Sequence, residues 1–441
     1  VAPWYGLYVD SDKTITPCCK IKNNRKYDYT QLEEYFDSKE LNKLREDLLG
    51  GVKNEACSRC WKDEEAGGDS LRLISNRTAG LFSDTPIKEQ ITNPKASKID
   101  SFDLVLGNLC NLKCVMCSPT DSNQWYDDYN KIWGYKSFMD SHEKIELVKN
   151  KKGKLQPSSN IYEWSDDPHI WNQIYKHIDQ FRRIYIVGGE PLMIDAHYDF
   201  LQKCIDHGVA GKLMLEYNSN ITNVPQRAWN IWKHFKLVLM GISIDGIGDT
   251  NNLIRFPSKW WKIEENLKKF ISAEGTYQLH ITSSISNLNI WHLPDFIEYF
   301  IKSNYTRLGP WEDQPLMTPH PVHRPSYLNI NILPDSFKEK IKKRFAEYKE
   351  RWKNENWEEL YGPSKGATWK QKFNHANIIL DRFENFMYKV QYEEKMLTKW
   401  RSNMVHFMDK LDDIRKTDWK ATCPELYDNV KEWYNLPKGL F

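Results

Sequence analysis

The sequence predicts an α/β protein whose centre is an open, partial barrel of six β/α units. Three observations predict this fold. Short apolar stretches alternate with helical stretches after residue 101, seven of the nine cysteines precede residue 118, and the chain beyond residue 335 is charged and helical. We therefore expect an N-terminal cysteine-rich module, the barrel, and a C-terminal helical extension.

The composition supports a folded globular protein. The chain has 441 residues, 40% of them hydrophobic and 28% charged, with a net charge of +2 and a mean hydropathy of −0.69. It contains no run of 18 or more apolar residues, which excludes a transmembrane span, and no secretory signal is recognisable. The balanced charge gives no reason to expect nucleic acid as a partner. The 18 tryptophans indicate aromatic packing, with an aromatic-lined groove as the alternative.

The first segment, residues 1–75, is expected to be a small module carrying cysteines. Val1–Val9 and Ile15–Cys19 are predicted to form a hairpin, because a Ser-Asp-Lys turn separates two apolar stretches. Tyr29–Leu49 is predicted to be helical and to end at a Gly-Gly pair. Residues 76–100 are polar and contain two prolines, which indicates a linker.

The barrel is expected over residues 101–334. The predicted strands are Phe102–Leu106, Arg183–Val187, Leu213–Tyr217, Leu237–Ser243, Tyr277–Ser284 and Tyr327–Ile332. The predicted helices are His169–Phe181, Ala196–His207, Gln226–His234, Ser258–Ala273 and Leu293–Lys302. Six units are too few for a closed eight-unit barrel. Residues 118–165 interrupt the alternation as a long insertion, a possible lid, and residues 335–441 form the helical extension.

The sharpest motif is Cys110-x3-Cys114-x2-Cys117, which directly follows the first predicted barrel strand. Three thiolates at this spacing can hold one iron–sulfur cluster from a single loop. Because no fourth cysteine follows nearby, one iron would stay open to an outside ligand, as a catalytic zinc keeps an open position. A zinc site completed by a distant histidine is the alternative reading of the same residues.

These cysteines, together with Gly188-Gly189-Glu190-Pro191 after the second barrel strand, resemble the signature motifs of the radical SAM superfamily. The residue before the third cysteine is Met116, where an aromatic residue is usual in that family. The resemblance implies a 4Fe-4S cluster on the three cysteines and S-adenosylmethionine (SAM) on its open iron. It also implies that the Gly188–Pro191 segment contacts the amine of SAM.

The resemblance further implies polar SAM contacts at the ends of the later strands. The candidate residues are Asn218, Ser219, Ser243, Asp245, Arg255, Ser284 and Asn287. Of these, Arg255 is suited to a bidentate pair with the SAM carboxylate. Each also has an ordinary structural reading, as a turn residue for Asn218 and Asp245 or as an ion pair for Arg255.

A second cysteine group comprises Cys18, Cys19, Cys57 and Cys60. With the Trp, Glu, Gly-Gly and Ser-Leu-Arg residues that follow Cys60, it resembles the twitch or SPASM module that holds an auxiliary 4Fe-4S cluster in radical SAM enzymes. The family usually carries one more cysteine before the Pro-Trp pair, and we expect that ligand to have been trimmed here. A structural zinc site and a vicinal Cys18–Cys19 disulfide are the competing readings.

The resemblance implies an oxidoreductase that cleaves SAM reductively to a 5′-deoxyadenosyl radical and abstracts hydrogen from a peptide or a small polar substrate. An auxiliary cluster would aid the oxidation. The expected electron donor is a flavodoxin or ferredoxin, and the expected location is the cytoplasm. Alternatives are a radical SAM methyltransferase, epimerase or mutase, or a zinc-stabilised binding module without catalysis.

Overall fold

The computed structural model describes residues 2–21, 27–65, 70–80, 91, 99–133, 145–159, 161–309, 316–389 and 392–437. Most of the predicted linker, at residues 81–90 and 92–98, lies outside the described residues, as do residues 134–144 and 160 of the predicted insertion. Within the described ranges, no helix has the length and apolar character needed to cross a membrane.

One mostly parallel sheet organises the fold. Its strands are β1 (Gly6–Val9), β2 (Ile15–Thr16), β3 (Ser101–Val105), β6 (Arg183–Val187), β7 (Met214–Ser219), β8 (Leu237–Ser243), β9 (Tyr277–Ile285) and β10 (Met317–Pro321), and a separate hairpin pairs β4 (Leu147–Lys149) with β5 (Leu155–Pro157). Across the sheet the order is β10-β9-β8-β7-β6-β3-β1-β2. Every neighbouring pair is parallel except β1 with β2. The predicted α/β class with a parallel sheet is confirmed.

The two faces of the sheet differ in chemistry. In β6, Ile184 and Ile186 are fully buried, whereas the alternating Arg183 and Tyr185 are only partly buried. Successive side chains of a strand point to opposite faces, so one face packs on apolar helices and the other is polar. The polar face of the sheet is the one that can meet a ligand.

Helices surround this sheet and extend beyond it. In chain order they are α1 (Ala2–Tyr5), α2 (Leu32–Phe36), α3 (Lys39–Leu49), α4 (Ser58–Glu65), α5 (Leu71–Gly80), α6 (Trp125–Trp133), α7 (Pro168–Tyr175), α8 (Asp195–Asp206), α9 (Gln226–Trp232), α10 (Gly248–Ile254), α11 (Trp260–Ser272), α12 (Leu293–Ser303), α13 (Asp335–Asn354), α14 (Trp357–Tyr361), α15 (Trp369–Lys389), α16 (Glu394–Arg415), α17 (Trp419–Thr422) and α18 (Pro424–Val430). The helices predicted between the barrel strands are present, with ends shifted by a few residues, and the first of them is continued only by a short 3-10 turn at Ile178–Gln180.

One predicted barrel strand is wrong. Tyr327–Ile332 forms two 3-10 turns, Ser326–Leu328 and Ile330–Ile332, because the Asn329 side chain accepts a hydrogen bond from the Asn331 amide at 2.9 Å. The strand that takes the place of Tyr327–Ile332, beside β9, is β10. Its sequence contains two prolines, which an edge strand tolerates since it needs backbone donors on one side only.

The N-terminal hairpin is present, in shorter form than predicted. The first four described residues form α1 and not a strand, while β2 covers only Ile15–Thr16 of the expected stretch. The helix predicted over Tyr29–Leu49 is divided, because Ser38 caps α3 by accepting from the Leu41 amide at 3.3 Å. Since β1 pairs in parallel with β3, the hairpin lengthens the main sheet. The division into residues 1–75, 101–334 and 335–441 stays a prediction.

The C-terminal part is helical, as predicted, and is attached to the barrel by polar contacts. The Asn331 side chain donates to the carbonyl of Phe386 in α15 at 2.9 Å, and Arg401 of α16 donates to the carbonyl of Ile332 at 2.9 Å. These contacts fix α16 so that its last residue, Arg415, reaches the loop that follows β3.

Candidate functional site

The loop after β3 carries the three cysteines of the main motif. Backbone hydrogen bonds hold it on both sides: the Lys113 amide donates to the Phe256 carbonyl at 2.7 Å, and the Val115 amide donates to the Ile254 carbonyl at 2.8 Å. The indole of Trp125 donates to the Cys114 carbonyl at 2.9 Å. The loop is therefore held in one shape by contacts to α6 and to the end of α10.

The structure brings the three thiols together. Cys110 and Cys114 are buried with Leu112, and Cys117 packs against them. Burial raises the pKa of Cys110 to about 12. A hydrogen bond between Cys114 and Cys117 lowers the pKa of Cys114 and raises that of Cys117. A metal bound to these sulfurs would favour their thiolate forms, because a nearby positive charge lowers the pKa of a thiol.

The glycine pair after β6 presses against the backbone just before Cys110. Gly189 has a φ of +51°, and a Cβ there would overlap the Leu109 carbonyl; a Cβ on Gly188, at φ +98°, would meet the Leu106 nitrogen at 2.8 Å. The Glu190 amide donates to the Leu109 carbonyl at 2.7 Å. Only glycine permits this close approach of the two strand-end loops.

The Glu190 carboxylate is buried and fully engaged by protein donors. Ser219 Oγ and the Asn220 amide donate to its two oxygens, both at 2.8 Å, and the Leu192 amide donates at 3.2 Å. Burial raises its pKa to about 7 in spite of these donors. The predicted residues Glu190 and Ser219 therefore lie together, joined to each other, and Pro191 begins the short 3-10 turn that follows.

Asp245, Arg255 and Ser284 form a second group of predicted residues. Arg255 Nε lies 2.7 Å from Asp245 Oδ2, and the Ser284 amide donates to Asp245 Oδ1 at 2.7 Å. Burial lowers the pKa of Arg255, but the charge of Asp245 and those of Cys114 and Cys117 outweigh it. The pKa of Arg255 is therefore raised overall. Arg255 thus stands beside the cysteine loop with its charge already balanced by Asp245.

The remaining predicted residues make other hydrogen bonds. Asn218 donates to the Tyr185 hydroxyl at 2.7 Å, and Ser243 Oγ lies 3.4 Å from Thr282 Oγ1. Asn287 donates to the Tyr327 carbonyl at 2.9 Å and so holds the turn that replaced the expected strand.

One residue near the cysteines escaped the site prediction. Arg415 of α16 is 1% exposed, its Nε lies 2.9 Å from Asp128 Oδ2, and its guanidinium stacks 4.6 Å from the centre of the Trp125 ring. Cys114 and Cys117 act electrostatically on it, although desolvation dominates and lowers its pKa. The sequence around it, residues 412–415, has no motif that carries chemistry by itself, so its place beside the cysteines is seen only in the folded chain.

A pocket of about 230 Å³ adjoins the third cysteine. Its floor is the loop at Met116 and Cys117, and aromatic side chains form much of its wall: Trp125, Tyr129, Trp133, Tyr327 and Phe407. The rings of Tyr327 and Phe407 are 4.9 Å apart. The aromatic-lined groove that the sequence left as an alternative has a local counterpart here, large enough for one flat ring system.

The second cysteine group is divided by the structure. Burial, followed by the charges of Cys57 and Cys60, raises the pKa of Cys18 to about 11. Cys19 is solvent-exposed, and desolvation, followed by the charges of Cys18 and of Asp103 in β3, raises its pKa to about 12. The charges of Cys57 and Cys60 thus act on Cys18, whereas the charge of Asp103, on the polar side of the sheet, acts on Cys19.

The motif residues after Cys60 hold that module together. Glu64 accepts from Ser70 Oγ at 2.5 Å and from Arg72 Nη2 at 2.6 Å, and the Arg72 guanidinium lies 4.6 Å from the Trp61 ring centre. The next carboxylate along the chain, Glu65, forms a surface ion pair with Lys53 at 2.8 Å. All nine cysteines are free thiols, so the vicinal disulfide is absent.

The polar face of the sheet carries a charged triad next to Cys19. Arg183 lies 2.5 Å from Asp103 and 2.6 Å from Glu216, so one cation bridges two carboxylates. Further along, His280 is buried and its Nδ1 has no hydrogen-bond partner; burial lowers its pKa to about 4. This face offers both charge and an unused nitrogen to a polar ligand.

The donor chemistry of the loop fits an iron–sulfur cluster. Three thiols share one loop, the glycine pair leaves no room for side chains beside it, and two buried guanidinium nitrogens of Arg415 lack hydrogen-bond partners. Within the part of the chain that the structure describes, no three or more His, Cys, Asp or Glu side chains converge as ligands of one metal ion. The three thiols of the loop are packed together without converging on a single point, and in an iron–sulfur cluster each would bind a different iron.

Comparisons with known proteins give only distant similarities. No protein-family model matches the chain, and no curated protein matches it. A solved structure of anSMEcpe with bound AdoMet (S-adenosylmethionine) and the Cp18Cys peptide matches at 14% identity and a TM-score of 0.34, over 51% of this chain and 52% of that one.

Streptococcus suis SuiB bound to precursor peptide SuiA matches at 14% identity and a TM-score of 0.30, over 57% of this chain and 51% of that one. SuiB alone matches at 12% identity and a TM-score of 0.34, over 79% and 69%. The chain thus spans about half the length of the first matched structures. AdoMet, which the sequence motifs imply as a cofactor here, is a ligand of anSMEcpe and SuiB.

Proposed function

We propose that this chain is a radical SAM enzyme with a partial (β/α)6 barrel and an N-terminal twitch-like module. The observation that carries the proposal is the meeting of two motifs at one sheet edge. The loop of Cys110, Cys114 and Cys117 and the loop of Gly188 and Gly189 are in contact although some 80 residues separate them in sequence.

In this proposal Cys110, Cys114 and Cys117 hold a 4Fe-4S cluster, and the polar groups around the glycine loop hold SAM. Bound there, the cluster would supply the one-electron reduction by which SAM is cleaved to methionine and a 5′-deoxyadenosyl radical, and that radical would abstract hydrogen from the substrate. Backbone groups of Gly188 and Gly189 orient the amine of SAM. We assign the aromatic pocket beside Met116 to the adenine ring of SAM, because its flat side chains suit stacking against a flat ring.

Cys18, Cys57 and Cys60 are proposed to hold an auxiliary 4Fe-4S cluster that assists the oxidation. Support comes from the shared electrostatic influence of these three thiols and from the Glu64–Arg72 pair that braces them. Of the four predicted auxiliary ligands, we propose Cys18 rather than Cys19 as a partner of Cys57 and Cys60, and the support is that the charges of these two thiols act on Cys18.

A peptide or a small polar molecule is the proposed substrate. Support comes from the partly exposed triad of Arg183, Asp103 and Glu216 on the polar face, which suits a ligand carrying charge or amide groups. A flavodoxin or ferredoxin is the proposed electron donor. The cytoplasm is the proposed location, because clustered cysteines that act as metal or cluster ligands are typical of intracellular proteins.

Anaerobic reconstitution with iron and sulfide tests the proposal. The purified chain, reduced with dithionite in the presence of SAM, should produce 5′-deoxyadenosine detectable by mass spectrometry. The Cys114→Ser variant should lose that product, whereas Cys204→Ser, which alters a buried core thiol far along the chain, should keep it. A colourless protein with bound zinc and no 5′-deoxyadenosine would instead favour the non-catalytic binding module.

A further inference from the structure

The charge around the cysteine loop is not balanced. Asp128 Oδ1 lies 2.8 Å from Lys113 Nζ, and its Oδ2 lies 2.9 Å from Arg415 Nε, so two cations share one carboxylate. The neighbouring Arg255 pairs with Asp245, and its charge also acts on Glu190, while Asp121 acts on Cys117. In the ion pairs beside the loop, the three cations Lys113, Arg255 and Arg415 share the two carboxylates of Asp128 and Asp245.

The unbalanced charge lies mainly on Arg415. Its two terminal nitrogens are buried without a hydrogen-bond partner, and its side chain is 1% exposed. Burying unsatisfied guanidinium donors is costly, so their retention needs a ligand. The Trp125 and Phe256 rings, at 4.6 and 5.3 Å, flank the guanidinium. Besides Asp128, the negative charges that act on Arg415 are those of Cys114 and Cys117.

We infer that Arg415 is a positioning residue that binds the anionic cluster on Cys114 and Cys117 and makes its reduction easier. The inference rests on the proposed function, since it presupposes the cluster. A fixed positive charge favours the reduced cluster, because reduction adds a negative charge in a buried, low-dielectric place. The C-terminal helix α16 thus completes a site that the N-terminal half of the barrel begins.

Electron paramagnetic resonance during a redox titration of the reconstituted full chain tests this role. Every protein also carries Cys57→Ser and Cys60→Ser, which remove ligands of the proposed auxiliary cluster, so that the signal comes from the cluster on Cys110, Cys114 and Cys117. Arg415→Gln should make reduction at least tenfold less favourable, which is a shift of about 59 mV to more negative potential for one electron. The potential of the Arg415→Lys variant should lie between those of the parent and of Arg415→Gln. Asp128→Asn, which removes the counter-charge, should shift the potential the opposite way.

Lys399→Gln is the matched control, because Lys399 is an exposed cation on the same helix, sixteen positions before Arg415. Its potential should equal that of the parent. Equal potentials in all variants, shifts of the same sign in Arg415→Gln and Asp128→Asn, or a change confined to SAM affinity would overturn the inference while leaving the proposed function intact. A parent protein that binds no iron would instead defeat the proposed function.

Discussion

At the scale of single residues, the site depends on a few positions that tolerate no substitute. The glycines at 188 and 189 exist in positive-φ conformations against the loop that carries Cys110. Cys114 and Cys117 share a hydrogen bond that binds one proton between them. The chemistry of the loop therefore follows from its backbone geometry as much as from its thiols.

Gly189→Ala should disturb the cysteine loop. The added Cβ would overlap the Leu109 carbonyl, and the φ of +51° disfavours a side chain. We expect a loss of about 1–3 kcal/mol in the free energy of unfolding and reduced iron content after reconstitution. Chemical denaturation and iron analysis measure both. Gly211→Ala is the control, since a Cβ there meets nothing within 4 Å, and a Gly189→Ala protein matching it in both readouts would refute the steric argument.

His197 should make the stability of the fold depend on acid pH. It is fully buried with Nδ1 2.6 Å from the Ile194 carbonyl, and burial lowers its pKa from 6.5 to about 3. The folded state then binds fewer protons than the unfolded state between these values. The contribution of neutral His197 is complete above pH 6.5 and is lost as the pH falls, by up to about 1.4 kcal/mol per pH unit.

Denaturation of the wild type and of His197→Gln between pH 4 and pH 7 measures this contribution. The difference in unfolding free energy between the two proteins should shrink as the pH falls. His234→Gln, at an exposed position, is the control and should track the wild type. A difference for His197→Gln that stays constant with pH would contradict the buried neutral imidazole.

The sequence identified the residues whose type is chemically rare, and missed those whose role depends on distant contacts. Three cysteines at fixed spacing and a glycine pair after a strand can be recognised locally. Arg415 could not be assigned, because its partner Asp128 is 287 positions away and its surroundings form only in the folded chain. The pairing of Arg255 with Asp245 was likewise a tertiary outcome.

At the scale of elements, the strands were predictable where the residues alternate or are uniformly apolar. The strands at Arg183–Val187 and Leu237–Ser243 have the predicted bounds. The failure at Tyr327–Ile332 came from asparagine side chains that compete for backbone groups, and the true sixth strand was hidden by its prolines.

We expect Cys18 and Cys19, which follow the N-terminal hairpin, to differ in their role at the auxiliary site. The charges of Cys57 and Cys60 act on the pKa of Cys18, whereas that of Asp103 acts on the pKa of Cys19. In the reconstituted chain, Cys18→Ser should therefore lower the iron bound to the auxiliary site, whereas Cys19→Ser should retain the wild-type amount. Iron and sulfide analysis in a Cys114→Ser background isolates that site. Equal losses in both variants would show that both thiols are ligands.

At the scale of the whole molecule, the N-terminal hairpin and the C-terminal helices converge on the same sheet. Strand β1 continues the sheet beyond β3, while α16 brings Arg415 to the cysteine loop. The site is therefore assembled from both ends of the chain as well as its middle.

A specific protease site inserted after residue 85 should leave the molecule in one piece after cleavage. The parallel pairing of Gly6–Val9 with Ser101–Leu104 and the burial of Leu7 and Val9 hold the first fragment to the sheet. Size-exclusion chromatography after cleavage should show both fragments in one peak. Elution of residues 1–85 as a separate peak would mean that the hairpin forms an independent unit.

The central claim is that Cys110, Cys114 and Cys117 hold a cluster with one iron open to SAM. The most direct test is the electron paramagnetic resonance spectrum of the reduced, reconstituted chain carrying Cys18→Ser, Cys57→Ser and Cys60→Ser, recorded with and without SAM. The claim predicts one cluster of about four irons per chain, with a signal that changes when SAM is added. Zinc in place of iron, or a signal indifferent to SAM, would contradict it.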